Sequence, residues 1–161
     1  MRVLVALAGA AIATLAGDSD RATAMVTVAD GAHAGSFIVR NADVPCEIRE
    51  QRAPRPKHQF EVTIGGLAQK SDPNKPTLLM VIIPNADVRG SNPAFFASLI
   101  FGAIGRGAEY VVETRPGERL RGSGTVIVTP HGRDATVTLD VISADSVSYT
   151  GTIQCSGVSR S

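Results

Sequence analysis

The stretch Ser-Tyr-Thr-Gly-Thr-Ile-Gln-Cys-Ser-Gly, residues 148–157, decides the fold class. Tyr149, Ile153 and Cys155 alternate with Thr150, Thr152 and Gln154, the two-residue period of a strand with one buried face. The two segments before it alternate in the same way: GTVIVT (124–129) and ATVTLDVI (135–142). Their connections, PHGRD and SADS, are turn-like and too short for a crossover. Consecutive antiparallel pairing of the three strands is therefore expected, because parallel pairing needs about a dozen connecting residues or more.

Working towards the N-terminus, the same period appears in MVTVAD (25–30), SFIVR (36–40), VPCEIRE (44–50), QFEVTIGG (59–66) and AEYVVET (108–114). TLLMVIIP (77–84) is apolar on both faces and reads as a central strand covered on both sides. The pattern predicts an all-β protein: an antiparallel β-sandwich or partly closed barrel of about 8–9 strands, with one short helix or apolar insert. Asp30, Asp43, Asp87 and Asp145 each fall in a turn after a strand, where an Asp side chain can accept backbone N–H bonds. Recurrent turn chemistry explains them better than a tandem repeat or a calcium site.

The cysteine at the end of the chain has one possible intramolecular partner, since the 161 residues hold only Cys46 and Cys155. Both sit at inward positions of their strands, and a bridge between them would tie an early strand to the last. The leader MRVLVALAGAAIATLAGDSDRATA explains why thiols would be oxidised. Arg2 supplies a positive start, Val3 to Ala16 an apolar run, and GDSDR a polar stop, which is the layout of a secretory signal peptide. Residues 1–24 are read as that peptide, with cleavage after Ala16 or Ala24, and residues 25–161 as a single β domain. The apolar run falls short of the roughly 20 residues that span a bilayer, so no transmembrane span is expected in the mature chain.

Two segments break the alternation. Residues 94–104, AFFASLIFGAI, are apolar on every side and follow Asn92-Pro93, a good helix start. Periodicity does not choose between a short buried helix and a core strand. The segment is expected to pack against the sandwich, with Phe96 in the core. The alternative is an apolar wall for a ligand or partner made by Phe95, Phe96, Leu99 and Phe101. The other segment, residues 47–59, is charged and carries Pro54 and Pro56. It reads as an exposed loop in which Arg49, Arg52, Arg55 and Lys57 could meet an anionic partner.

Chemistry is sparse. There is no GxSxG, HExxH, P-loop or SxxK motif, and His33, His58 and His131 are far apart in loop-like segments. No catalytic residues, metal or cofactor are expected. Sixteen basic residues against 15 acidic ones leave no excess for phosphate, which argues against nucleic acid as a partner. Cys46, then Ile64-Gly65-Gly66, then Cys155-Ser156 give an order that resembles the mycobacterial LpqH-type lipoprotein antigens. The chain lacks that family's lipidated cysteine after the leader, so lipid anchoring is not implied; an exported β domain without known catalysis is. The function expected is a non-catalytic binding role, or a structural role in the cell envelope or secreted surface, towards a protein or surface partner. A carrier of a small apolar or lipid-like molecule is the alternative, and a hydrolase comes third.

Overall fold

The computed structural model describes residues 22–41, 46–51, 57–66, 72–85 and 90–161. Among the described residues twelve strands form two sheets and there is no helix. The first sheet has the order β2 (Gly35–Asn41), β1 (Ala22–Val28), β11 (Ser148–Cys155), β10 (Asp134–Ile142), β9 (Ser123–His131) and β6 (Gly90–Asn92). The second has the order β12 (Ser159–Arg160), β3 (Glu47–Gln51), β4 (Lys57–Gly65), β5 (Pro76–Ile83), β7 (Phe96–Phe101) and β8 (Ala108–Glu113). All pairings are antiparallel except that of β12 with β3. The two sheets pack as a sandwich and do not close into a barrel.

The C-terminal strands pair as the short connections require, β9 with β10 and β10 with β11. Period-two alternation drives their inner faces together. Val137, Leu139 and Val141 on β10 meet the core, as do Tyr149, Ile153 and Cys155 on β11. From the second sheet come Phe60, Val62 and Ile64 on β4 and Leu79, Val81 and Ile83 on β5.

Residues 96–101, where a helix or insert was an open reading, form strand β7 between β5 and β8. The glycines after it explain why. Gly102 has φ +73°, and a Cβ on Gly107 would lie 1.8 Å from the Phe101 carbonyl oxygen. The chain reverses tightly there, and the Gly107 N–H donates to the Ala103 carbonyl. Asn92 caps no helix; it ends β6, and its side-chain amide donates to the Gly90 carbonyl at 3.3 Å. The strand count exceeds nine because β6, β7 and β12 add to the alternating segments. The turn aspartates serve different donors from those expected. Asp30 accepts the Ser148 N–H from a neighbouring strand, and in the 143–146 turn Ser143, not Asp145, accepts the Val147 N–H. Asp43 and Asp87 lie outside the described residues.

Cys46 and Cys155 are bonded, with Cα atoms 5.8 Å apart and 109 residues between them in sequence. Cys155 belongs to β11 in the interior of the first sheet. Cys46 immediately precedes β3 of the second sheet, so the bridge joins the two layers. The chain itself crosses at the same place: after Cys155, residues 156–158 lead into β12, and the Ser159 N–H donates to the Cys46 carbonyl at 3.0 Å. Both sulfurs are buried in the common core. A bridge closing so long a loop restricts the unfolded chain strongly, by about 4–5 kcal/mol in the chain-entropy account and usually about 2–4 in practice. Denaturant unfolding of the Cys46→Ala/Cys155→Ala double variant should show a loss of about 2–5 kcal/mol. A loss below about 1 kcal/mol, the level of a surface substitution, would show that the bridge adds nothing to the packed layers.

Candidate binding surface

The second sheet is apolar on both faces. Its inner face forms half of the core. On its outer face stand Leu78, Met80 and Ile82 of β5, Phe96 and Ile100 of β7, and Val111 of β8. Register places them in adjoining rows: Ile82 beside Phe96, Leu78 beside Ile100, and Met80 beside Ser98 and then Val111. None of the six belongs to the core cluster or packs against it. Ile100 is buried and the other five are half-buried.

This arrangement corrects two expectations. Strand β5 is central, between β4 and β7, but only its inner face is covered by the other sheet. Phe96 is not a core residue. Phe95, Leu99 and Phe101 are fully buried in the core, whereas Phe96 lies on the outer face beneath a cation. The Arg115 guanidinium carbon sits 5.2 Å from the Phe96 ring centroid. The four residues proposed as one apolar wall thus divide between two sides of the sheet, because successive side chains of a strand point to opposite faces.

Acidic residues edge the patch. Glu61 lies beside Ile82, Glu113 beside Phe96, and Glu109 beside Ile100. Arg49 engages Glu47 at 2.8 Å and Glu61 at 3.3 Å. Hydrogen bonds from Ser161 and then Arg49 hold the Glu47 carboxyl below its usual range. Arg115 donates Nε–H to Glu113 Oε1 at 2.8 Å, and its backbone N–H reaches the same oxygen at 3.0 Å. Glu109 accepts from Ser98 Oγ at 2.7 Å and, among the described residues, has no basic partner. Of the four cations considered for an anionic partner, Arg49 is thus already engaged by acids. Arg52 and Arg55 lie outside the described residues, and Lys57 opens β4.

His33, in the β1–β2 turn, performs a different task. Its ring stacks on Phe101 with centroids 4.2 Å apart. Its Nδ1 is 2.7 Å from the Tyr110 hydroxyl and its Nε2 is 3.0 Å from the Pro73 carbonyl oxygen. With Nε2–H donating to Pro73, Nδ1 accepts the Tyr110 proton, and both ring nitrogens are satisfied. Burial, followed by the nearby charges of Asp145 and Asp30, raises the Tyr110 pKa and keeps that hydroxyl a donor. The group clamps a turn of the first sheet onto β7 and β8 of the second. Among the described residues no three His, Cys, Asp or Glu side chains gather as metal ligands would.

Comparison of the chain with protein-family models, with curated proteins and with solved structures found no match.

Phe95→Ala should cost about 3–5 kcal/mol in denaturant unfolding, the loss for a large side chain removed from a packed core. Phe96→Ala should cost about 1–1.5 kcal/mol, since only half of a ~2–3 kcal/mol transfer gain and one cation contact are lost. Equal losses would contradict the division of the two rings between opposite faces. Acidification gives a second check. The Arg115 hydrogen bond lowers the Glu113 pKa below its ordinary 4.5, against an opposing effect of burial. A carboxyl whose pKa is lower folded than unfolded contributes stability above the unfolded value and loses it as pH falls through the folded one. Stability should therefore decline below about pH 4.5, and Glu113→Gln should make that decline shallower. An unchanged profile would contradict the assignment.

Proposed function

We propose that the protein is exported and acts without catalysis, binding a protein partner through the outer face of its second sheet. The single observation that carries this reading is the set of six apolar side chains on the outer face of the second sheet that stand apart from the core cluster. A contiguous apolar area rimmed by polar groups is typical of an interaction site. The acidic rim, and Glu109 in particular, suits a partner that presents an apolar stripe edged by Lys or Arg. An extended segment with alternating apolar and basic residues has that chemistry. The resemblance to LpqH-type antigens points the same way, towards an exported β domain held by an early and a late cysteine. The buried bridge supports an oxidising destination. Among the described residues no helix is long and apolar enough to cross a membrane.

The leader lies outside the described residues, but the two cleavage positions have different consequences for the fold. Strand β1 begins at Ala22, and Ala22 and Ala24 are fully buried opposite Cys155 and Ile153. Cleavage after Ala24 would remove three residues of this strand, whereas cleavage after Ala16 leaves it whole. Export with processing after Ala16 predicts a mature protein that begins at Gly17 by N-terminal sequencing. A chain that begins at Met25, or one that keeps Met1 inside the cell, would contradict this.

Binding is tested with two synthetic peptides, one alternating Leu and Lys, the other alternating Leu and Glu. The Leu-Lys peptide should bind, the Leu-Glu peptide should not, and Met80→Lys should weaken binding at least about ten-fold, the equivalent of ~1.4 kcal/mol. Equal binding of both peptides, or indifference to Met80→Lys, would overturn the assignment of the surface. Binding to neutral phosphatidylcholine vesicles in place of either peptide would favour the carrier of apolar molecules.

A further inference from the structure

A two-sheet sandwich has four edges, and each edge strand presents unpaired backbone groups that can recruit another strand. Three of the four are blunted here. Strand β6 is three residues long and is followed by Pro93, and β12 is two residues long. Strand β8 is capped: the Ala144 N–H donates to the Val111 carbonyl at 3.0 Å, and Glu113 exchanges backbone hydrogen bonds with Arg121 at 2.7 and 2.9 Å. The fourth edge, β2, runs seven residues and has no strand neighbour on its outer side among the described residues.

Its register shows which groups point outward. The Ala29 N–H donates to the Ser148 carbonyl at 2.9 Å, and the Met25 carbonyl points at Gly151. Odd-numbered residues of β1 therefore bond to β11 and even-numbered ones to β2, because direction alternates along a strand. Val26 pairs with Phe37 and Ala24 with Val39, so Phe37 and Val39 point their backbone groups at β1. Ser36 and Ile38 point theirs away from the sheet. The inner side chains hold the strand in place: Val39 lies in the core, and Phe37 packs against it with its ring 5.1 Å from that of Phe101. On the outer face the paired residues Met25 and Ile38 are 65% and 59% exposed.

We propose that β2 pairs with β2 of a second copy, antiparallel about a two-fold axis at Ile38, to form a homodimer. Ile38 is the midpoint of Gly35–Asn41, so a two-fold axis there makes the register its own complement. Ile38 of each copy exchanges two backbone hydrogen bonds with the other. Met25 and Ile38 of both copies then form one apolar row across four strands, and this row covers two of the most exposed apolar side chains of the first sheet. The two six-stranded sheets become one of twelve strands. The seam belongs to the first sheet and the binding surface to the second, so the dimer and the binding surface stand or fall separately.

Sedimentation velocity of the purified protein with its bridge intact should show a dimer that dissociates on dilution. Ile38→Lys should weaken it at least about ten-fold. Ile142→Lys, an exposed apolar position on β10, should leave it unchanged and serves as the control. Should Ile38→Lys lose the native circular dichroism spectrum, Ser36→Pro decides by the same readout, since it removes an outward N–H and, besides that, the exposed hydroxyl contact with Thr27. A protein that stays monomeric up to ~100 µM overturns the proposal. So does a dimer that persists unchanged in the folded Ile38→Lys or Ser36→Pro variant.

Discussion

The bond between Cys46 and Cys155 joins the interior of one sheet to the start of β3 in the other, and much of the molecule is arranged around it. Strand β1 lies beside Cys155 through Ala22, and β10 lies on its other side through Ala135. Small side chains at both positions leave room for the sulfurs between the layers. The chain after Cys155 crosses to the second sheet and adds β12 next to β3, where the Ser161 hydroxyl reaches Glu47 at 2.6 Å. The covalent link, the crossing chain and the last hydrogen bonds thus converge on one end of the sandwich.

The His33 clamp is a second tie between the layers. Its ring bridges the β1–β2 turn to Phe101, Tyr110 and the Pro73 carbonyl. Tyr149 reaches from β11 towards the Tyr110 carbonyl, at 3.4 Å. Buried polar groups are costly unless partnered, and these are partnered across the layers, which specifies how one sheet sits on the other as well as how strongly. With the layers fixed in this way, the outer face of the second sheet keeps a row of half-buried apolar side chains outside the core.

Much of this was legible in the residues. The alternation in 124–155 predicts three consecutive antiparallel strands, and two cysteines at inward positions predict the bridge. The apolar character of Leu78, Met80 and Ile82 was also plain, but it reads equally as a doubly covered strand or as one with an exposed apolar face. Composition cannot separate the two, because the difference lies in whether another layer is present. Residues 96–101 were ambiguous for a related reason: a segment apolar on both sides of a sheet has no period to measure. The His33 clamp left no local signal, since its partners are 40 and 77 residues away.

The two apolar faces of the second sheet have different fates: one is consumed by the core, and the other is the face we propose for a partner. Methyl-labelled nuclear magnetic resonance with a soluble paramagnetic agent reads this directly. The methyl groups of Leu78, Ile82 and Val111 should broaden in its presence, while those of Leu79, Val81, Ile83 and Leu99 should not. Equal protection of both sets would contradict the account, because the outer residues would then already be covered in the free protein.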